Sequence, residues 1–197
     1  MSCLRFKRRI SMRKILVVID MQNDFIDGAL GTKEAEAIVD NVVAKIKAYP
    51  KQDVYATKDT HDEDYLKTQE GHFLPVEHCI RGTNGWEIRP EIAELIEPSN
   101  VFEKPTFGSV ELAEALKRVD FEELERGNLS GQSDGAGIEI EIVGLCTDIC
   151  VVSNALLLKA EMPEVKISVD PACCAGVTPA SHDAAIATMQ SCQIQMV

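Results

Sequence analysis

The feature that most constrains the fold is the run KILVVID at residues 14–20. It is a continuous stretch of mainly branched apolar residues that ends in an acid. Strands with this pattern are buried on both faces, as in a parallel sheet that helices cover on either side. The run therefore predicts an α/β fold in which Asp20 lies at the carboxyl end of the first strand.

The rest of the chain alternates helix and strand patterns. A helix follows the first strand, with apolar residues between Ala35 and Ile46 at spacings of three and four, and it ends at Pro50. Further strands are predicted at residues 54–57, 101–103, 138–143, 165–169 and 193–197, and further helices at 88–96, after Ser109 as N-cap, after Gly144 through 160, and at 179–191. This alternation predicts one three-layer αβα domain with a six-stranded, mostly parallel, Rossmann-like sheet.

Three stretches lack these patterns. Residues 58–87 form a long polar segment without periodicity, and loops of that length are usually functional or disordered. Residues 127–137, GNLSGQSDGAG, are predicted to form an exposed and mobile connection. Residues 1–11 precede the first strand and are expected to be a disordered extension, which leaves residues 12–197 as the domain.

Composition and charge exclude several classes of protein. The formal net charge of -12 would repel a nucleic acid or an anionic membrane surface. No run of about 18 apolar residues predicts a transmembrane helix, and the N-terminus lacks the apolar core of a secretory signal. We therefore expect a cytoplasmic protein whose partner is a small molecule, with its seven cysteines as thiols rather than structural disulfides.

Reactive side chains follow four of the predicted strands. Asp20 ends the first strand, Asp59 and His61 follow the second, Lys104 ends the third, and Cys150 follows the fourth across a tight turn. In an open parallel sheet, ligands bind beyond the carboxyl ends of the strands. These side chains are therefore expected to converge in space.

Cys150 has the sequence position of a nucleophile. It lies at the predicted start of a helix, where the helix dipole and a nearby Lys104 would favour the thiolate. Asp20 could accept the thiol proton and return it to a leaving amine. Taken singly, however, Cys150 equally fits a small core residue, Asp20 a helix cap, and Lys104 a surface lysine. Only the three residues together indicate catalysis.

A second set of residues has the chemistry of a metal site. Asp59 and His61 are two residues apart, so an extended strand end would present both on one face. His78 and Glu70, from the loop, would add a nitrogen and an oxygen ligand, a mixture that suits zinc, iron or manganese. The set has no fixed spacing and is a weak signal by itself. His72 and His182 have no such neighbours and are interpreted as solvated and structural, respectively.

From residue 12 to the C-terminus the chain resembles the isochorismatase-like cysteine hydrolases, and among them the nicotinamidase/pyrazinamidase group. The motifs that carry the resemblance are VVIDMQNDF at 17–25, KDTH at 58–61, LPVEHCIRGTNGWEI at 74–88, EKPTFGS at 103–109 and VGLCTDICV at 143–151. One departure concerns the substrate: some nicotinamidases have a tryptophan shortly before the histidine that matches His78, where this chain has Leu74 and Pro75.

The resemblance implies an isochorismatase-like fold and a role for each matching residue. The catalytic residues would be Asp20, Lys104 and Cys150. One divalent ion, zinc first, with iron or manganese as alternatives, would be bound by Asp59, His61, His78 and, as an extra ligand, Glu70. A cis peptide bond before Cys146 would place the amides of Cys146 and Cys150 as an oxyanion hole, with Phe25 and Phe107 as walls for the substrate ring.

The reaction implied by the resemblance is the hydrolysis of nicotinamide to nicotinate and ammonia through a cysteine thioester, a step of pyridine nucleotide salvage. Because relatives often assemble, a homo-oligomer is expected. Two alternatives stay open: an amidohydrolase for carbamoyl or ureido substrates, and an inactive relative that only binds a metal or ligand. The retained metal ligands argue against the first alternative, and the complete set of Asp20, Lys104 and Cys150 argues against the second.

Overall fold

The computed structural model describes residues 12–129 and 136–197. Its centre is a six-stranded sheet in the order β3-β2-β1-β4-β5-β6, in which every pair of neighbouring strands is parallel. The strands are β1 (Arg13–Ile19), β2 (Val54–Asp59), β3 (Val101–Lys104), β4 (Ile138–Leu145), β5 (Lys166–Ala175) and β6 (Gln195–Met196). The α/β prediction is confirmed, and the sheet is parallel throughout.

Seven α-helices connect the strands within the described residues. They are α1 (Asn23–Ile26), α2 (Lys33–Lys47), α3 (Gln69–Phe73), α4 (Pro90–Ala93), α5 (Val110–Leu129), α6 (Val152–Glu161) and α7 (Pro179–Ser191). The predicted helix over 179–191 is confirmed residue for residue, with Thr178 as its cap. Ser109 caps α5 as predicted, because its Oγ accepts a hydrogen bond from the amide of Leu112 at 3.2 Å.

Alternate residues of the central strands belong to two separate apolar layers. In β1, Ile15, Val17 and Ile19 pack with α5, α6 and α7, whereas Leu16 and Val18 pack with α2 and α4. Every one of these five side chains is at most 1% exposed. A strand buried on both faces explains why the sequence of β1 shows no polar alternation.

The segment at 58–87 is partly regular. Its first residues, Lys58 and Asp59, extend β2, and α3 lies in its middle. The predicted helix at 88–96 is wrong over most of its length, since only Pro90–Ala93 is α-helical. The reason is tertiary pairing: Ile88 forms an antiparallel bridge with Gln22, and the amide of Arg89 donates to the carbonyl of Met21 at 2.9 Å.

Two other expectations lie largely outside the described residues. They are the disordered extension at 1–11 and most of the mobile connection at 127–137, whose first residues instead belong to α5. Among the described residues all six cysteines are free, as expected. The described helices include none that is long and apolar enough to cross a membrane.

The sheet order places a crevice at one edge. From β1, the strands β2 and β3 follow toward one edge of the sheet, whereas β4, β5 and β6 follow toward the other edge. The strand order therefore reverses between β1 and β4. Ligands bind at such reversals, beyond the carboxyl ends of the strands. Gly144 allows β4 to approach β1 here, because its φ is +119° and a Cβ would collide with the carbonyl of Ile19. The five residues predicted to be reactive, at the ends of four strands, all lie at this edge.

Candidate active site

Cys150 lies in a short turn that joins β4 to α6. Residues Thr147–Val151 form one π-helical turn directly before α6, so the thiol is at the N-terminal side of the helix, as the sequence suggests. Cys150 is 5% exposed and lines the cavity described below. The peptide bond between Leu145 and Cys146 is cis, the geometry that the resemblance implies.

Lys104, the last residue of β3, is the centre of the site. Its Nζ lies 2.7 Å from Asp20 Oδ2, 3.4 Å from Cys150 Sγ and 3.1 Å from Asp59 Oδ1. The lysine is 1% exposed, so this ammonium group is surrounded by protein. The structure therefore brings together the three residues predicted to be catalytic and joins them to the predicted metal ligands.

Asp20 is held in a fixed position where the chain leaves β1. It has a φ of 45°, an uncommon conformation for a residue other than glycine, and it is fully buried. Thr57 donates a hydrogen bond to Asp20 Oδ1 at 2.7 Å, whereas Oδ2 has the ion pair with Lys104 but no aligned hydrogen bond. Oδ2 is therefore available to accept a proton from a neighbouring group.

The electrostatics of the three residues differ from the sequence expectation. Burial raises the pKa of Cys150 well above its usual value, and Asp20 raises it further, while Lys104 opposes both effects. Burial also raises the pKa of Asp20 against the attraction of Lys104. Although burial disfavours its charge, the carboxylates of Asp20 and Asp59 and the sulfur of Cys150 raise the pKa of Lys104. The surroundings thus favour the thiol form of Cys150 beside the charged form of Lys104, whereas the sequence position predicts a thiolate.

Asp59, His61 and His78 form a compact set of metal-binding groups. Their ligand atoms all lie within 4.8 Å of one another, and all three residues are buried. The Oδ2 atom of Asp59 is 3.1 Å from Nε2 of His61 and 3.6 Å from Nε2 of His78. Glu70 lies farther out, with its Oε1 3.7 and 3.9 Å from the same two nitrogens.

The hydrogen bonds of these histidines fit a bound cation. Nδ1 of His78 is 2.9 Å from the carbonyl of Val76, which assigns the proton to Nδ1 and leaves Nε2 as a lone-pair donor. Nε2 of His61 is buried and has no hydrogen-bond partner among the described residues. Burial opposes the charge of Asp59, but the two histidines and Lys104 hold the pKa of this carboxyl well below its usual range. Converging nitrogen and carboxylate donors of this kind are what a divalent transition metal requires.

Two supporting residues, Gln22 and Asn154, were not predicted from the sequence. The side chain of Gln22 binds both main-chain polar groups of Asp59, donating to its carbonyl at 2.8 Å and accepting from its amide at 2.7 Å. The amide of Asn154 donates to the carbonyls of Cys150 and Phe107 at 2.7 and 3.0 Å, and its Oδ1 accepts from Ser109 at 2.9 Å. Each residue is at most 1% exposed. For Asn154, the available signal was a single amide side chain in an apolar segment, whereas Gln22 lies in the polar stretch DMQND and offered no such signal.

The two other histidines have the roles expected of them outside this site. His72 is exposed on α3. His182, on α7, lies with its Nδ1 2.8 Å from Thr147 Oγ1 and so supports the turn that carries Cys150. The interpretation of His182 as a structural residue agrees with this contact.

The candidate nucleophile and the candidate metal ligands open into one cavity of about 740 Å³. Asp59, His61, His78 and Cys150 form its polar end. Phe25 and Phe107, the predicted ring walls, both line it, as do Glu70 and Cys146. Phe25 is buried with its ring centre 5.5 Å from that of His78, whereas Phe107 is 42% exposed at the mouth. The arrangement can hold a flat ring between a metal and a nucleophilic sulfur.

Known proteins are similar to this chain in both sequence and fold. Residues 14–197 match the family model of the isochorismatase domain. The chain is 27% identical over 195 residues to the nicotinamidase/pyrazinamidase of Mycobacterium tuberculosis, over 93% of this chain and 98% of that protein. The structure of a nicotinamidase/pyrazinamidase from Bacillus subtilis has a TM-score of 0.71 and 26% identity, over 94% and 100% of the two chains.

A third similar protein has a metal in its structure. The pyrazinamidase of Pyrococcus horikoshii, solved in complex with zinc, has a TM-score of 0.70 and 25% identity, over 94% of this chain and 98% of that one. All three likenesses extend over nearly the whole of both proteins. The family model, which spans residues 14–197, includes every residue of the site described above.

Proposed function

The chain belongs to the isochorismatase family as an amide hydrolase, and from this premise we propose that its substrate is nicotinamide, which it converts to nicotinate and ammonia. The observation that carries the proposal is the placement of one buried ammonium group. Nζ of Lys104 contacts the candidate acid, the candidate nucleophile and a candidate metal ligand within 3.4 Å. A carboxamide and a ring nitrogen can thus be bound by two adjacent halves of one site.

In the proposed first step, the thiol of Cys150 passes its proton to Asp20 as the sulfur attacks the amide carbon. Oδ2 of Asp20, which has no aligned hydrogen bond, is the acceptor, and Lys104 stabilises the negative charge that develops on the sulfur. The amides of Cys146 and Cys150, at the turn beyond β4, are proposed to bind the carbonyl oxygen as it becomes negative. Collapse of this adduct breaks the C–N bond and leaves a thioester.

The second half of the reaction uses the same groups in reverse. Asp20 returns its proton to the leaving nitrogen, which departs as ammonia. The aspartate then takes a proton from water, which attacks the thioester and releases nicotinate and the thiol. Because the raised pKa of Lys104 keeps it charged throughout, it acts by electrostatics and not as the proton carrier.

The metal ligands are assigned to binding rather than to bond cleavage. Asp59, His61 and His78 would hold one divalent ion, with zinc the first candidate and Glu70 as an outer ligand. When bound, the ion supplies a Lewis acid that holds the pyridine nitrogen directly or through water. Phe25, packed against His78, would provide one face for the ring.

The proposal is tested by ammonia release from the metal-loaded protein with nicotinamide and with an N-carbamoyl amino acid at equal concentrations. Nicotinamide should be the better substrate by at least a hundredfold in kcat/KM, because a carbamoyl compound offers no ring nitrogen to the metal. Faster turnover of the carbamoyl compound would reassign the substrate. Absence of ammonia from either compound, in a protein shown to be folded and to contain metal, would overturn the enzymatic proposal.

A further inference from the structure

The mouth of the cavity is apolar and larger than nicotinamide requires. A volume of about 740 Å³ lies in the upper part of the range, roughly 300 to 1,000 Å³, that binds drug-sized ligands. Nicotinamide is a single pyridine ring with one carboxamide, and its two polar groups engage only the polar end of the cavity. Much of the remaining space has no role in the proposed reaction.

Large apolar side chains from separate segments surround this space while remaining open to solvent. Phe73, on α3, is 84% exposed, Val177, after β5, is 53% exposed, and Phe107, after β3, is 42% exposed. All three line the cavity. Exposing such side chains to water is unfavourable, and clusters of them commonly mark a binding site. We call these three residues the apolar rim.

The floor of the cavity fixes which edge of a bound ring would face the rim. Lys104 is 1% exposed and contacts both Cys150 and Asp59, which line the cavity, so it lies behind the space between the nucleophile and the metal ligands. A ring held by its nitrogen at the metal and by its C3 carboxamide at Cys150 therefore has C2 toward this floor. C5, on the opposite side of the ring, then faces the mouth.

We propose that the preferred substrate is a pyridine-3-carboxamide with an apolar group at C5, which binds against the apolar rim. This inference rests on the proposed function, because it uses the same orientation of the ring. It adds a specificity determinant outside the reacting groups: contact with the substituent strengthens binding of the substrate and of the transition state alike. The gain should appear in KM and leave kcat almost unchanged.

The test compares 5-propylnicotinamide with nicotinamide on the metal-loaded protein. We expect kcat/KM to be roughly tenfold higher for the propyl compound, as burial of a short alkyl chain predicts. The double variant Phe73→Ser/Val177→Ser should lower the ratio of the two kcat/KM values to near one. Phe121→Ser is the matched control, because Phe121 is 60% exposed on α5 and does not line the cavity, so this variant should keep the wild-type ratio.

A binding measurement separates affinity from turnover. In the Cys150→Ala variant, calorimetry should give a dissociation constant for 5-propylnicotinamide about tenfold below that for nicotinamide. The 2-propyl isomer should bind more weakly than nicotinamide, because its substituent would meet Lys104.

Each result gives a decision. Equal or better turnover and binding of nicotinamide would overturn the inference while the proposed function stands. A preference for the propyl compound that the double variant retains would show that the apolar rim is not its source, and so would overturn the inference as well. No ammonia from either compound would remove the proposed function and this inference together.

Discussion

The two halves of the site differ in how the charge of their carboxylates is balanced. Around Cys150, the ammonium of Lys104 and the hydroxyl of Thr57 already balance the carboxylate of Asp20. Around Asp59, two histidine nitrogens converge on one carboxylate oxygen, and one of them has no hydrogen-bond partner among the described residues. The first half thus contains its own cation, whereas the donor atoms of the second half are arranged as they would be around a metal cation. We infer that the first half performs the chemistry and the second positions the substrate.

The largest expected effect tests the chemical half. Cys150→Ala should lower ammonia release by a factor of roughly 10⁴ or more, because no other thiol is in contact with Lys104 among the described residues. The metal content should stay at the wild-type level, since the sulfur is not a ligand. Ammonia assays and metal analysis on the same preparation check both statements. Retention of wild-type activity would remove Cys150 from the mechanism.

The next effect concerns the group that the halves share. Lys104→Met should lower kcat/KM by about a thousandfold, because loss of the cation raises the pKa of the Cys150 thiol still further. Loss of the cation also raises the pKa of Asp20, the proton acceptor, so the rising limb of the profile of kcat/KM against pH should move to higher pH. The charged variant Lys104→Arg should keep this limb near its wild-type position even if the rate falls.

The same Lys104→Met variant has a consequence for stability. It leaves the buried carboxylates of Asp20 and Asp59 without their cation, and loss of one partner of a buried pair costs about 3–5 kcal/mol. A thermal melt of each variant measures this cost and shows that the protein used for kinetics is folded. An unchanged pH profile in folded Lys104→Met would contradict the assigned role of the ammonium group.

A smaller effect tests the positioning half. Removal of metal by a chelator, or the variant His61→Ala, should raise KM for nicotinamide by about a hundredfold and change kcat far less, because these groups bind the ring rather than the reacting carbonyl. Excess zinc should restore the chelated wild type but not the variant. Loss of kcat at constant KM would instead place the metal in the chemical step and erase the difference between the two halves.

The smallest effect concerns a residue that connects the chemical half to the mouth. Asn154→Ala removes three hydrogen bonds, two of them buried, and we expect a loss of about 1–3 kcal/mol in the free energy of unfolding. Ammonia release should fall roughly tenfold, because the turn with Cys150 and the loop with Phe107 lose their common anchor. Denaturant titration and steady-state kinetics measure the two effects, and an unaltered kcat would limit Asn154 to stability.

The sequence was sufficient to predict the site residues at the strand ends, but not the residues that support them. Asp20, Lys104 and Cys150 could be predicted to meet because parallel strands end at one edge, whatever the details of packing. Thr57 and Gln22 could not, since their roles depend on which strands are neighbours. The failure at residues 88–96 has the same origin: a local helical pattern gave way to pairing between Ile88 and Gln22, far apart in the chain.

The charge state of the Cys150 sulfur could also not be predicted from the sequence. A helix N-terminus and a lysine both favour a thiolate, and both are present. The depth of burial decides the outcome, and it depends on the whole domain: Cys150 is 5% exposed and Asp20 is fully buried beside it. The resting thiol follows from packing, which spacing along the chain does not reveal.

Sharing Lys104 between a sulfur and a metal-ligand carboxylate has an evolutionary consequence. Substitutions at Asp59 and at Cys150 should not combine additively in a double-mutant cycle, because each alters the field that the same ammonium group exerts on the other. A descendant in which the candidate metal ligands were replaced would also have to readjust its nucleophile. Gain or loss of the metal is therefore expected to occur in concerted sets of replacements rather than one ligand at a time.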